Sequence, residues 1–210
     1  MMHIPRFFLP MFDRLELPDS TRSFIIDMHT QPGRYYHGLG HLAMMKKHMI
    51  SSCVRRSEGM AVQQHLLDYY AAILFHDIIY DPRAASGENE KNSAAEFILR
   101  APKNVNVDFV QRLILATQSH DLNQETAISL FLRLDLHILW HRRPQIYQWY
   151  ARAIRKEYAW VNNEQYRIGR AGVLNNLSSV EMHLEVVELQ WFWRNIKWEK
   201  QALASGELDV

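Results

Sequence analysis

Apolar residues recur at intervals of three and four along most of the chain, a spacing typical of amphipathic α-helices. Only eight glycines occur in 210 residues, which leaves little material for the tight turns of an all-β fold. The pattern predicts about eight helices, at approximately residues 42–55, 62–79, 89–99, 107–118, 124–140, 144–160, 165–177 and 180–203. We therefore expect an all-α fold.

Signals at the helix boundaries support this assignment. Asn106 and Asn123 have side chains suited to capping a helix N-terminus, and Pro144 suits a first helical turn. Residues 81–89, DPRAASGEN, are rich in turn formers and predict a loop. No stretch of linker composition divides the chain. We expect one helical-bundle domain over residues 1–210, in which residues 1–20 form an N-terminal extension.

Three segments carry histidine or carboxylate side chains on faces that the pattern predicts to be buried. In residues 62–79 the apolar stripe continues at helical spacing into Asp77, and His76 lies beside it. In residues 124–140 the buried face includes Asp135. His37 and His41 are four residues apart, so a helix would project both from about the same side.

One divalent ion would account for these side chains together. A buried carboxylate without a partner is strongly unfavourable, so it requires a cation, a metal ion or a set of strong hydrogen bonds. Imidazole and carboxylate together suit Mn, Fe, Co, Ni or Zn. Taken singly, each residue has another interpretation, because a histidine beside an apolar face is usually a satisfied core residue and Asp135 could pair with an arginine.

The order of His37, then the adjacent His76 and Asp77, then Asp135 resembles the HD superfamily of metal-dependent phosphohydrolases. The chain is similar to a bacterial branch of predicted metal-dependent phosphohydrolases in the segments RYYHGLGHL, LFHDIIYDPR, ENEKNSA, ILATQSH, LDLHIL, IRKEYAWV, IGRAGVL and WRNIKWEKQ. These segments span about residues 34–201. The resemblance implies an all-α HD-type domain that hydrolyses a small phosphorylated compound, with a nucleotide as one candidate.

The resemblance also implies roles for individual residues. The implied metal ligands are His37, His76, Asp77 and Asp135. His41 is a mark of this branch and is expected to contact the substrate or to support the ligands. His120 resembles the histidine that contacts phosphate in one-metal members or helps to hold a second metal in two-metal members. The chain departs from the family at Tyr80, where many HD proteins have a lysine.

Phosphate hydrolysis would also need a base and cations near the metal-bound water. Asp77 is expected to touch both the metal and the water, as the family suggests. Asp81 and Glu90 follow it closely and are the candidate bases, with loop capping or a solvated charge as the alternative. Arg34 and His120 are the candidate phosphate contacts.

Charge and cysteine content narrow the function classes. The 24 basic and 23 acidic residues give a net charge of +1, so we expect no binding to nucleic-acid polymers or membranes. The single Cys53 excludes an internal disulfide, and the apolar N-terminus lacks the long run of a signal peptide, so a cytoplasmic protein is expected. Tryptophans near the C-terminus suit packing against the core or in a homodimer.

Two other functions fit the same residues. The first is a non-catalytic HD module that keeps the metal for structure or uses the pocket to sense a ligand. The second is oxygenase chemistry at a two-iron site, which would require more histidine and carboxylate ligands than the pattern assigns. Metal binding is expected in each case.

Overall fold

The computed structural model describes residues 5–53, 59–179 and 184–210, and within these ranges every regular element is helical. The α-helices are α1 (Leu9–Arg14), α2 (Asp19–His29), α3 (Leu39–Cys53), α4 (Gly59–Gln64), α5 (Leu66–Phe75), α6 (Glu88–Leu99), α7 (Val107–Ala116), α8 (Thr126–Asp135), α9 (Pro144–Glu157), α10 (Asn163–Ser179) and α11 (Val186–Ser205). A 3-10 helix, Leu136–Trp140, follows α8. The predicted all-α class is confirmed for the described residues.

The chain divides into two compact units, residues 1–135 and residues 136–210. The predicted organisation as one HD-type domain stays a prediction. All of the residues that the sequence proposes as ligands, bases or phosphate contacts fall within the first unit. No helix in the described ranges combines the length and the apolar character that crossing a bilayer requires.

Helix α5 is the core of the first unit. Every residue from Asp68 to Phe75 is buried, which follows from the nearly continuous apolar run YYAAILF. The helix packs against α3, α6 and α7. Helix α7 begins as predicted, because the Asn106 side chain accepts a hydrogen bond from the Phe109 N–H at 3.1 Å.

The predicted continuous helix over residues 62–79 is wrong at two points. The backbone of His65, with φ at −112°, interrupts the helix, so α4 and α5 are separate. The second difference is the end of the helix: α5 ends at Phe75, four residues before the predicted end at residue 79. Beyond this end the bonding pattern changes, because the Ile78 N–H donates to the Phe75 carbonyl three residues back, at 3.1 Å.

The N-terminal helices α1 and α2 were not predicted. A proline occupies the start of each helix: Pro10 lies in the first turn of α1, and Pro18 is the N-cap of α2. Phe12 is fully buried, so part of the predicted extension over residues 1–20 contributes to the core of the first unit, as does Ile25 in α2.

The last predicted helix of the first unit also changes character. Helix α8 ends at Asp135, and the chain continues as a 3-10 helix where one helix over residues 124–140 was expected. Helix α8 begins at Thr126, so Asn123 lies before the N-cap position, in a turn where its N–H donates to Asp121. Pro144 lies in the first turn of α9, as predicted.

The second unit contains its own buried polar groups. The Arg170 guanidinium donates to the Glu199 carboxylate at 2.7 Å and to the Tyr150 hydroxyl at 3.0 Å, and Tyr147 also donates to Glu199. Arg155 is buried as well and donates to the carbonyls of Tyr158 and Val161. Each guanidinium therefore has partners within the unit, although the buried Nε of Arg155 has none among the described residues.

Candidate metal centre

Four chain segments of the first unit bring polar side chains to one place. His41 lies in the first turn of α3, and His76 and Asp77 follow the last turn of α5. Asp135 ends α8, and His120 lies in the connection between α7 and α8. We call these five residues the histidine–aspartate cluster. Contacts of α3 with both α5 and α8 account for their convergence.

Three members of the cluster form a group able to hold a metal ion. One donor atom from each of His41, His76 and Asp77 lies within 4.8 Å of the others. The two Nε2 atoms are 3.1 Å apart, and Oδ2 of Asp77 lies 3.0 Å from the Nε2 atom of His76. Both imidazoles are buried, whereas 19% of the Asp77 side chain is exposed. The group therefore has an accessible side at Asp77.

Asp135 completes the cluster from a different helix. Its Oδ1 atom lies 3.0 Å from Nε2 of His41 and 3.7 Å from Nε2 of His76. Its Oδ2 atom is 2.9 Å from Nε2 of His120. The predicted convergence of His76, Asp77 and Asp135 is thus present in the structure, with two further histidines among them.

The tautomer of His76 follows from its second ring nitrogen. Nδ1 lies 3.1 Å from the Ile73 carbonyl oxygen, which can only accept, so Nδ1 carries a proton. In the neutral ring, the Nε2 lone pair therefore faces Asp77 and His41. A histidine whose distal N–H is bonded to a backbone carbonyl is the usual arrangement of a metal-ligating imidazole.

The charges within the cluster depend strongly on one another. Burial by itself would lower the pKa of His76, but the neighbouring Asp77 and Asp135 carboxylates raise it to about 9. Burial raises the pKa of Asp77, yet the charge of His76 outweighs it, and the net shift is downward. Burial lowers the pKa of His41. The carboxylates are therefore ionised, and a proton on His76 supplies part of the positive charge that they need.

Asp135 is likewise held ionised. Burial would raise the pKa of its carboxyl group, but hydrogen bonds from His120 and His41 lower it well below the ordinary value. Two ionised carboxylates with nitrogen donors around them are a suitable set for a divalent first-row transition ion, which can replace the protons on the imidazoles. The donor chemistry of the cluster thus fits the expected metal.

His37, which the resemblance proposes as the first ligand, lies beside this group and is half-buried. Its ring stacks on Tyr80 at 4.2 Å between centroids, and its centroid is 6.0 Å from that of His41. The three-residue group contains His41, for which a supporting or substrate-binding role was expected. The assignment of His37 as a ligand stays a prediction.

Arg34 makes backbone contacts. Its Nη1 donates to the carbonyls of His37 and Asp77 at 3.1 and 2.6 Å, and its Nη2 donates to the Ile78 carbonyl at 2.9 Å. These contacts fix the guanidinium between two segments of the site. Its predicted contact with phosphate stays a prediction.

The two candidate bases lie in the loop after the central pair and in α6. Asp81 is exposed; its Oδ1 accepts the Arg83 N–H at 2.9 Å, as in a turn cap. Glu90 is half-buried in the first turn of α6. Among the described residues, neither carboxylate forms a hydrogen bond or an ion pair with the cluster. Their catalytic roles stay predictions.

His120 has an unusual backbone conformation. Its φ of 49° lies in the left-handed region, which non-glycine residues seldom occupy. The residue follows the end of α7, and its N–H donates to the Ala116 carbonyl at 3.2 Å. Strained conformations of this kind concentrate at functional sites, because the surroundings must hold the residue in place. Here the bond to Asp135 is one such restraint.

His29 was missed by the sequence analysis. It lies at the end of α2 and is buried, and its Nδ1 donates to the Ile25 carbonyl at 3.0 Å. Burial lowers its pKa to about 3, and the charges of Arg34, Asp77 and His76 also act on it. The residue is therefore neutral at physiological pH. No helix was predicted over α2, so the sequence pattern gave no reason to place this histidine near the cluster.

No protein-family model, no curated protein and no solved structure matches this chain. The resemblance to the HD superfamily therefore rests on the sequence segments quoted above and stays a prediction. The donor atoms, burial and charges of the candidate centre are therefore known only from the residues of this chain.

Proposed function

We propose that this protein is a metal-dependent phosphohydrolase acting on a small phosphorylated compound, with a nucleotide as one candidate substrate. The observation that carries the proposal is the group of donor atoms from His41, His76 and Asp77 within 4.8 Å of one another. Asp135 lies against the same imidazoles and supplies a second carboxylate. An HD-type identity of the domain is part of the proposal and is supported by the resemblance alone.

A bound divalent ion would supply a Lewis acid for a phosphoryl oxygen and would lower the pKa of a coordinated water. His41, His76, Asp77 and Asp135 would hold it, with His37 as a further ligand. Mn, Fe, Co, Ni and Zn all suit this mixture of nitrogen and oxygen donors. A second ion is a variant of the proposal in which His120 takes part.

The remaining chemistry falls to the side chains around the accessible side. Asp77 is partly exposed, so one carboxylate oxygen is available to orient a water molecule or to accept its proton. His120 is 27% exposed, and its Nε2 is oriented by Asp135. Its other ring nitrogen, Nδ1, would be the atom that meets a phosphate group.

The first experiment tests metal binding without requiring activity. The protein is purified with a chelator, and its melting temperature is measured with and without added Mn²⁺. A ligand that binds only the folded state raises this temperature, so we expect a clear increase. Absence of any increase with Mn²⁺, Co²⁺, Ni²⁺ or Zn²⁺ would contradict the proposed centre.

The second experiment tests catalysis. Phosphate release is screened over nucleoside mono-, di- and triphosphates and small phosphorylated metabolites, with each stabilising metal. We expect release from at least one compound, abolished by the chelator and restored by the metal. The same screen with Asp77→Asn should show no release, because the variant lacks a carboxylate that would hold the metal and face the water.

A non-catalytic metal-binding module is the second candidate. The observation that favours it is the position of Asp81 and Glu90, since neither carboxylate contacts the histidine–aspartate cluster among the described residues. Metal-dependent stabilisation together with no phosphate release across the screen would select this function. Release that depends on Asp77 would exclude it.

A further inference from the structure

The Arg34 guanidinium joins the two chain segments that carry most of the candidate centre. On one side it donates to the His37 carbonyl, just before α3. On the other side it donates to the carbonyls of Asp77 and Ile78, in the turn after α5. Forty-three residues separate Arg34 from Asp77 in the sequence, so these bonds are a tertiary link.

In the described part of the chain, the carbonyls of Asp77 and Ile78 accept no hydrogen bond from a following helical turn. Helix α5 ends at Phe75, and Pro82 has no N–H with which to satisfy the Ile78 carbonyl. Buried or half-buried carbonyls of this kind need donors. The guanidinium provides them in a planar, fixed arrangement that no other side chain has.

An aromatic ring restrains the same region. The Tyr80 ring lies 5.5 Å from the Arg34 guanidinium carbon and stacks on the His37 imidazole. Both the guanidinium and His37 therefore face the one ring.

We propose that Arg34 is a positioning residue that sets the separation between the segment entering α3 and the turn carrying His76 and Asp77. It would thereby fix the distance between two donor atoms of the candidate centre, Nε2 of His41 and Oδ2 of Asp77. These atoms are 3.7 Å apart in the structure. The inference rests on the proposed metal centre. It assigns Arg34 a role through the backbone, in place of a direct contact with phosphate.

The second unit offers a matched control. Arg155 is also buried and donates to two backbone carbonyls, those of Tyr158 and Val161, and to the Asn163 side chain. Replacing either arginine by lysine keeps the charge and removes the fork of donors. Both substitutions should lower stability, but only one lies between segments of the candidate centre.

The experiment compares Arg34→Lys and Arg155→Lys with the wild-type chain. Mn²⁺ affinity is measured by competition with a chelating dye, at a temperature where each protein is folded. We expect Arg34→Lys to weaken Mn²⁺ binding by about tenfold or more, the usual effect of losing a residue that orients metal ligands. Arg155→Lys should change the affinity by less than about twofold, since it acts on stability alone.

A second readout needs no metal. In the metal-free protein, the NMR signals of the His41 and His76 rings should shift in Arg34→Lys and stay in place in Arg155→Lys. If wild-type protein fails to bind Mn²⁺ or any other tested metal, the proposed function fails, and these ring signals still decide whether Arg34 positions the two segments.

Several outcomes would overturn the inference. The inference fails if folded Arg34→Lys binds Mn²⁺ with wild-type affinity and its ring signals do not shift. It also fails if Arg34→Lys and Arg155→Lys lose equal amounts of affinity. Arg34→Gln, which keeps a single amide donor group, serves if Arg34→Lys does not fold. If neither Arg34 variant folds while Arg155→Lys does, the role of Arg34 is to maintain the fold as a whole, and the positioning role is refuted.

Discussion

The Nε2 atom of His120 lies 2.9 Å from the Oδ2 atom of Asp135, and His120 reaches this position with a left-handed backbone. Such a conformation costs on the order of 1–3 kcal/mol in a non-glycine residue. The surrounding structure offsets that cost, and the bond orients the carboxylate whose other oxygen faces His41 and His76.

Replacing His120 by asparagine should separate the effect of its backbone conformation from the effect of its side chain. Asparagine tolerates the left-handed conformation, but its amide is too short to occupy the position of Nε2. We expect the metal affinity to fall about 10–100-fold, because Asp135 loses its orienting partner. The free energy of unfolding without metal should fall by only about 1 kcal/mol. Dye competition and chemical denaturation measure the two quantities.

His65 provides the control for this variant. It forms a comparable pair with Asp68 in the first unit, at 3.1 Å. His65→Asn should therefore leave the metal affinity unchanged. An unaltered affinity in His120→Asn would show that Asp135 needs no partner on its second oxygen.

Asp135→Asn tests the carboxylate itself. The substitution keeps the volume and removes the charge that an ion needs, so Mn²⁺ should raise the melting temperature of the wild type clearly and that of the variant little. The metal-free variant should fold, because the asparagine side-chain oxygen can still accept a hydrogen bond from His120 or His41. Asp68→Asn, at a carboxylate remote from the cluster, should retain the wild-type response. Equal shifts in wild type and Asp135→Asn would refute Asp135 as a ligand.

The helical class and most helix positions could be predicted from the sequence, because the apolar spacing is set by which side chains are buried. The end of α5 could not, since His76 and Asp77 fit the same helical pattern as the residues before them. After the helix ends, the Asp77 carbonyl accepts a hydrogen bond from Arg34, forty-three residues earlier in the chain. Periodicity contains no information on such a long-range contact.

Asp81 is tested by a pair of substitutions. Its Oδ1 accepts the Arg83 N–H, a bond that asparagine can retain and alanine cannot. If Asp81 is a base, both Asp81→Asn and Asp81→Ala should lower phosphate release at least tenfold while metal content stays the same. If it only caps the loop, Asp81→Asn should retain wild-type turnover and Asp81→Ala should lose part of it. In that case Glu90 becomes the next candidate.

The buried His29 predicts a specific acid sensitivity. Its pKa is about 3 in the folded protein and 6.5 ordinarily, so between these values the unfolded chain binds a proton that the folded chain does not. The stability associated with neutral His29 is fully present above pH 6.5. As the pH falls from there toward 3, the free energy of unfolding should decrease by up to about 1.4 kcal/mol per pH unit.

His29→Asn should flatten this dependence, because asparagine does not titrate and its amide can still donate to the Ile25 carbonyl. The measurement is chemical denaturation with chelator between pH 7 and pH 4.5. The pKa of His41 is also lowered by burial, so part of the slope should remain in the variant. Identical slopes in the two proteins would show that His29 does not resist protonation.

Two neighbouring glycines should respond oppositely to alanine. A Cβ at Gly38 would lie 2.9 Å from the His29 carbonyl oxygen, a backbone atom that cannot rotate away, so Gly38→Ala should destabilise the fold by about 1–3 kcal/mol. At Gly40, within α3, a Cβ meets nothing within 4 Å. Gly40→Ala should therefore stabilise by up to about 1 kcal/mol, as measured by denaturation. Equal effects would contradict the close approach of Gly38 to α2.

The candidate site was predictable to the extent that its residues interrupt apolar stripes. Asp77 and Asp135 were found because they are carboxylates on buried faces. The pairing of His41 with His76 was not found, because it depends on how α3 packs on α5, and either His37 or His41 satisfies the sequence spacing. His29 lies on a helix that was not predicted at all.

The burial of α5 determines which part of the candidate centre becomes exposed to solvent last. Exposing the amides of residues 69–75 to solvent requires the core of the first unit to come apart, so their hydrogen exchange should report global unfolding. Residues 34 and 37 are half-buried and lie outside regular helix, so their amides should exchange faster than those of α5. His76 follows α5 directly and its N–H donates to the Ala72 carbonyl, so its imidazole is anchored to the part of the unit that opens last, while an ion would enter or leave on the partly exposed side of Asp77.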